Sequence, residues 1–366
     1  MAPHPSRAAA LRTGLAALLA SSSPGIASAQ HAGLRELEAA ARQEGSLVVD
    51  GPPVAELRQA LSAGFQQAYG IPISYISSGG SRSSARVRAE RAAGKYLLDV
   101  FITGSDSALN SFLPSGWLDP IEPVLVAPEV LDRKKWRDGH LWYADPHHVI
   151  LRLLGFVTPE IAVNNKLLPA ASLRSWKQLI DPKWRGKIIA QDPRVAGGGA
   201  TTPTYLYKYF GPEYVRALYV DQQPFISTDG EQAARALAQG SYVAWVGAYP
   251  AALDPFEKAG YPIAYVSPSD APEIFSGGFG LVCLMNRAPH ENAAKLFVNW
   301  LAGRAGVSAL GSCLKEYTLR TDIDQSWAQP YSIPKRGKHY LDAYDYDFVT
   351  QIRSQTYQKV QELLDR

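Results

Sequence analysis

From Gly45 onward the chain switches repeatedly between two hydrophobic periods. Ser46-Leu47-Val48-Val49 predicts a strand. Leu57, Leu61 and Phe65 then fall four apart and mark one face of a helix, which Gly70 ends. Ile73-Ser74-Tyr75-Ile76 is extended again, breaks at Ser77-Ser78-Gly79-Gly80-Ser81, and continues into an Ala-, Arg- and Glu-rich helix. Tyr96 to Ile102 is a near-continuous apolar run, as in a parallel strand covered on both faces, and it ends in Thr103-Gly104-Ser105-Asp106. Three strand–helix units in a row predict an open parallel sheet with ligands at the carboxyl ends of its strands.

The second half repeats this grammar after a loop-rich stretch from Pro114 to Pro146. Val149 to Val157 leads into Ile161 to Asn165 and reads as a crossover to a second lobe. Ser175 to Leu179 starts a short helix, Lys187 to Ala190 is a strand, and Gly197-Gly198-Gly199-Ala200-Thr201-Thr202-Pro203 opens the next helix. Gln223 to Ile226 is extended and leads to Asp229 as N-cap, with Gln232 at the capping-box position. Strands follow at Ser241 to Val246 and Pro262 to Val266, and Phe275 to Gly280 precedes the strand Leu281 to Met285 as a return crossover. The helix Pro289 to Leu301 buries Ala293, Leu296, Phe297 and Trp300, and an amphipathic helix near Tyr344 to Leu364 closes the chain.

Four of these helix starts share one chemistry. Ser77 to Ser81, Thr103 to Ser105, Gly197 to Thr202 and Ser227 to Asp229 are rich in glycine or hydroxyl side chains, and each helix start exposes unpaired N–H groups at the positive end of its dipole. In a two-lobed fold they would converge on one cleft. The candidate ligand contacts are therefore Ser78, Gly79, Gly80, Ser81 and Arg82, then Thr103 and Ser105, then Gly199, Thr201 and Thr202, then Asp229. Trp245 and Tyr249, four apart just beyond a second-lobe strand, complete the set. Plainer roles stand beside these. Gly79-Gly80 also fits a tight turn with Ser81 as cap, Arg82 a solvated face with Arg86 near Glu90, and Trp245 with Tyr249 simple packing. Tyr205 and Tyr209 share a helix face and read as core.

Composition narrows the function. The 366 residues are 46% hydrophobic and 19% charged, enough for two lobes with their own cores. Formal charge is +3, of which Arg7 and Arg12 belong to an expected leader, leaving +1 and no basic block to suit a nucleic acid. That leader, residues 1–29, has a short apolar core from Leu15 to Ala20 and a cleavage site at Ala27-Ser28-Ala29, so a soluble exported chain from Gln30 is expected. Cys283 and Cys313 are compatible with either a bridge or free thiols. There is no HExxH, GxSxG or P-loop motif, and His147-His148 point to opposite faces of an extended segment. Neither catalysis, a cofactor nor a resident metal is expected.

Two segments are more specific. SWKQLIDPKWRGKI (Ser175 to Ile188) and APHENAAKLFVNWLAG (Ala288 to Gly303) resemble signature segments of the periplasmic substrate-binding proteins of ABC importers. ARVRAERAAGKYLLDVF (Ala85 to Phe101) and the order of elements resemble the same group, in the branch of extracellular solute-binding family 1 that includes the ferric-binding proteins. The resemblance implies an α/β, type II periplasmic-binding-protein fold. Its lobe 1 would span residues 30–154 and 276–366, and its lobe 2 residues 155–275, joined by crossover strands around an interlobe cleft. It implies a monomeric periplasmic protein that captures a small solute for an inner-membrane ABC permease. Ferric binders of the family use a histidine after the first strand and a tyrosine pair in the second lobe. Here Asp50-Gly51-Pro52-Pro53 and the single tyrosine of Gly247-Ala248-Tyr249-Pro250 stand there instead. The expected solute is an organic anion such as a phosphonate, phosphate ester or carboxylate. An Fe(III) carrier using Asp50, Asp106, Asp229 and Tyr249 is the alternative, and a periplasmic enzyme on the same fold the second.

Overall fold

The computed structural model describes residues 24–365 apart from Gly79, Ala196 and Gly197. The charged and apolar parts of the expected leader lie outside those residues, while Ala27 to Ala29 fall within the helix Pro24–Glu44. Among the described residues, no helix is long and apolar enough to cross a membrane.

Two large sheets organise the chain. In the first, Ile73–Ser77, Leu47–Gly51 and Val100–Thr103 run parallel. Leu281–Met285 is inserted antiparallel beside Val100–Thr103, followed by Ile150–Arg152 and Trp142–Tyr143, with Leu118–Asp119 also pairing Leu281–Met285. In the second, Phe225–Ser227, Ile188–Gln191 and Ala244–Val246 are parallel, and Ile161–Asn164 and Ile263–Val266 complete it antiparallel. The chain is thus the mixed α/β, two-lobed type II arrangement that the strand order led us to expect.

The helices follow the apolar stripes. Leu57, Leu61 and Phe65 of helix Ala55–Tyr69 are fully buried, with Phe65 against Phe297 and Trp300 of helix Glu291–Ala302. The run at Tyr96 becomes strand only at Val100. Leu97 is exposed, and the Asp99 carboxylate takes the Val48 N–H at 2.7 Å and the His290 N–H at 2.8 Å, so the ladder starts past Leu97 and Leu98. The tail also differs from one long helix. Leu341–Asp342 is a strand, Phe348–Arg353 a helical turn, and only Ser354–Leu364 a regular helix. Cys283 and Cys313 are free thiols, the former buried.

Two short strands connect the sheets. Phe156–Thr158 leads out of the first and Ile274–Ser276 leads back, paired antiparallel, and Leu341–Asp342 adds a third strand parallel to Ile274–Ser276. Space at this crossing is tight. A Cβ on Gly280 would stand 2.5 Å from the Leu154 Cβ and 2.7 Å from its backbone nitrogen, while the Leu153 N–H donates to the Gly280 carbonyl at 2.8 Å. Gly280→Ala must push these backbones apart. A loss of about 1–3 kcal/mol is expected from overpacking, read as an earlier midpoint in urea unfolding.

Candidate functional site

Between the sheets lies a cleft of about 720 Å³ lined from both sides. One wall starts where the strand Val100–Thr103 ends. Thr103 is 1% exposed and its hydroxyl is buried without a partner. The helix Gly80–Ala92 begins beside it. A Cβ on Gly80 would lie 2.7 Å from the Ser107 hydroxyl and 3.5 Å from that of Thr103, so glycine keeps both hydroxyls clear at the helix start. Ser105 completes this corner, accepting from Arg353 Nη1 at 3.4 Å. Arg353 Nη2 donates to Asp106 at 2.9 Å, and Asn110 donates to the same oxygen at 2.8 Å.

The other wall carries Thr201, Thr202, Gln191, Glu160 and Tyr249. Thr202 donates to the Glu160 carboxylate, and the Gly247 N–H donates to the Glu160 carbonyl at 2.8 Å. Burial pushes the Glu160 carboxyl up to about 7, with the Thr202 hydrogen bond opposing. Gly247 turns the chain with a φ of 73°, and Tyr249 beyond it lines the cleft, its ring packed edge-on to Trp245 with the centroids 5.2 Å apart. Burial raises the Tyr249 pKa, and the Asp229 charge adds to this. At the back, Tyr344 donates to the Gly278 carbonyl, and burial pushes it up to about 12. Glu316 is pushed up to about 8 by burial behind Gly278 and Phe279, with an oxygen left unpaired.

Gly80, Thr103, Ser105, Thr201, Thr202 and Tyr249 of the sequence-derived set therefore line the cleft. Others are committed elsewhere. Ser78 donates to buried Asp50 at 3.3 Å and pairs with Ser83 at 2.5 Å. Arg82 is exposed outside the cleft lining, and Gly199 backs onto the Asp192 carbonyl and the Val195 side chain. Asp229 spends its carboxylate on the Glu231 and Gln232 N–H groups as a helix cap. Trp245 is 1% exposed in the core behind its sheet, with Ala233, Leu237 and Leu253. Gly79 and the Ser81 side chain lie outside the described residues. Arg86 is no solvated face, because it pairs with Asp50 at 2.8 Å as well as with Glu90 at 2.5 Å.

Sequence reasoning missed Arg353, Glu160, Tyr344, Gln191 and Ser107. Only Ser107 had a local signal, as the continuation of the Thr103-Ser105 run. The proposed iron donors do not assemble. Asp50 serves Arg86, Asp106 serves Arg353, Asp229 caps a helix, and the Tyr249 hydroxyl sits against the Gly230 backbone and takes its N–H. Among the described residues, no three His, Cys, Asp or Glu side chains are grouped to hold a metal.

A closed fold of two α/β lobes around a polar cleft defines the class of type II binding proteins. The chain belongs to the bacterial extracellular solute-binding protein family, whose model matches residues 60–331. Its family makes it an extracellular solute-binding protein. It is 24% identical over 277 residues to an uncharacterized protein of Haemophilus influenzae, covering 73% of this chain and 75% of that one. In fold it is similar to the periplasmic binding protein AfuA from Actinobacillus pleuropneumoniae, solved with exogenous fructose 6-phosphate (TM-score 0.63, 19% identity, 88% of this chain and 97% of that one). It is also similar in fold to iron-bound HitA from Pseudomonas aeruginosa (TM-score 0.67, 17% identity, 87% and 99%).

The Glu160 environment gives a pH dependence of known sign. A carboxyl raised from 4.5 to about 7 binds its proton more tightly in the folded chain, so its stabilising contribution is full below 4.5 and fades as pH climbs to 7. Stability of the wild type relative to Glu160→Gln should fall across that window and level off above it, as measured by urea unfolding at a series of pH values.

Proposed function

We propose that the cleft captures a small organic anion and passes it unchanged to the permease, with a phosphate ester the first choice ahead of phosphonates and carboxylates. The observation that carries this is the Thr103 hydroxyl, buried without a partner at the start of the helix Gly80–Ala92. An unpartnered buried hydroxyl is costly, and a ligand oxygen there would satisfy it. The N–H groups of the helix's first turn have no partner within the helix and carry its positive dipole end, which favours an anion over a bare cation. Ser107 and Ser105 extend the same donor corner. The opposite wall, with Gln191, Glu160 and Tyr249, suits the hydroxylated body of such a ligand. AfuA, similar in fold, holds a sugar phosphate, which supports this choice, whereas iron-bound HitA supports the ferric alternative.

The chain acts on this reading as a monomer released by cleavage of residues 1–29, with residues 30–154 and 276–366 forming one lobe and 155–275 the other. A thermal-shift and calorimetric survey of phosphate esters, phosphonates and carboxylates is the direct test. Stabilisation by at least one is expected, and a response to ferric ion with none to any organic anion overturns the proposal. Thr103→Val keeps the side-chain volume but removes the hydroxyl. It should weaken the best ligand about tenfold, the worth of one hydrogen bond to a charged group, with little change in melting temperature.

A further inference from the structure

The cleft has a single cationic side chain among the described lining residues, and neither main sheet supplies it. Arg353 ends the helical turn Phe348–Arg353 and is 4% exposed. Its guanidinium carries five N–H donors, and its two contacts, to Asp106 at 2.9 Å and to Ser105 at 3.4 Å, leave others unused. Asp106 engages it through one carboxylate oxygen only. That pairing offsets the cost of burying the cation in an empty cleft without closing off the bidentate fork that suits phosphate and carboxylate.

The segment that delivers Arg353 is anchored on every side of the cleft. Leu341–Asp342 pairs with the crossover strand Ile274–Ser276, and Arg152 Nη1 reaches both Asp342 oxygens, at 2.9 and 2.7 Å. Tyr344 then binds the Gly278 carbonyl. Phe348 and Val349 enter the core shared with Leu109 and Phe112 of the first wall. Beyond Arg353, the helix Ser354–Leu364 reaches the second wall. Its Tyr357 hydroxyl donates to the Arg194 carbonyl at 2.6 Å and Gln361 to that of Pro193 at 3.3 Å, just before the helix Gly198–Arg216. The guanidinium is therefore fixed by hinge, first wall and second wall together, beside the Thr103–Ser107 corner.

From this placement we infer that Arg353 is the charge-selecting residue of the cleft, a direct ligand contact carried in by the C-terminal segment. The inference rests on the anion reading and adds to it the residue that tells an anionic solute from its neutral counterpart.

The test uses calorimetry on the wild type, Arg353→Gln, Arg353→Lys and the double variant Asp106→Asn/Arg353→Gln. The probes are inorganic phosphate, fructose 6-phosphate and citrate, with fructose as the neutral control. The double variant removes both charges, so it stays folded if Arg353→Gln alone strands Asp106. For whichever anion the wild type binds, Arg353→Gln and the double variant should lose about 10- to 100-fold in affinity. Arg353→Lys should lose less than Arg353→Gln, and the advantage over fructose should shrink in step. The salt dependence of binding should flatten in the charge-removing variants, which a purely structural role would not produce. If a folded double variant binds that anion within about threefold of the wild type, with unchanged salt dependence, the inference fails while the anion reading stands. If the wild type binds none of the three, the comparison is made with the best ligand from the survey of phosphate esters, phosphonates and carboxylates, and if that survey also yields no organic anion, the anion reading fails and takes the inference with it.

Discussion

The antiparallel pairing of Phe156–Thr158 with Ile274–Ser276 fixes how the two walls of the cleft stand toward each other. Each strand is three residues long, so a few backbone hydrogen bonds carry the geometry between two sheets of seven and five strands. Glycines make the approach possible. A side chain at Gly155 would collide with Leu319 and Phe275, and one at Gly280 with Leu154. The third strand, Leu341–Asp342, thickens this crossing, and buried Arg152 ties it down through Asp342 while lying 4.7 Å from the Phe275 ring centroid and 5.2 Å from that of Tyr344. Distances across the cleft therefore depend partly on buried residues behind its surface, such as Arg152, Gly155 and Gly280.

A second constraint sits beneath the donor corner. Asp50, at the end of the central strand Leu47–Gly51, has no exposed surface. Burial raises its pKa, opposed by hydrogen bonds from Arg86, Ser83 and Ser78 and by the charge of Arg86. An unpaired carboxylate there would be strongly destabilising, so the pair with Arg86 is what permits it. The same contacts hold Ser78 and the first turns of the helix Gly80–Ala92 over the strand end. Arginines near a helix start oppose the dipole, and Arg86 resolves that conflict by turning down to Asp50 and along to Glu90. The residues around Gly79 read from sequence as a ligand seat are thus partly its scaffold. Ser78 and Arg86 brace the seat, while Gly80 opens it.

Strand and helix order was legible because the two hydrophobic periods differ sharply, and the outgoing crossover was legible as the apolar run Val149 to Val157, whereas the return strand Ile274–Ser276 lies just ahead of the glycines read there. Cleft membership was legible only in part, for reasons particular to each residue. Trp245 lies near a strand's carboxyl end, but alternation puts it on the face covered by Ala233 and Leu237, while its neighbours Ala244 and Val246 face the other way. Asp229 has the composition of a ligand contact, yet one of its oxygens takes the Glu231 and Gln232 N–H groups of its own helix and the residue stands outside the cleft lining. Glu160 sits between two strands with no motif around it, and only the pairing that brings Gly247 to its backbone reveals its position. Arg353 is separated by 247 residues from Asp106, and no periodicity within the tail encodes that contact.

The distribution of charge across the cleft explains how one pocket can hold two carboxyl groups and still suit an anion. Asp106 is matched by Arg353, so that pair is neutral in sum. Glu160 has no cation beside it, and burial instead shifts it toward its protonated form, in which it donates a hydrogen bond and no longer repels. Glu316, behind Gly278, is pushed the same way and further. The first wall is left with hydroxyls, a helix start and a guanidinium, and the second with an amide, a partly protonated acid and a phenol. On the proposed reading this polarity orients the solute, with its charged end at Thr103 and Arg353 and its hydroxylated end toward Gln191 and Glu160. Deprotonation of Glu160 would then work against the ligand's own charge, so affinity for an anion and the protonation of that carboxyl are linked through the same few ångströms of cleft.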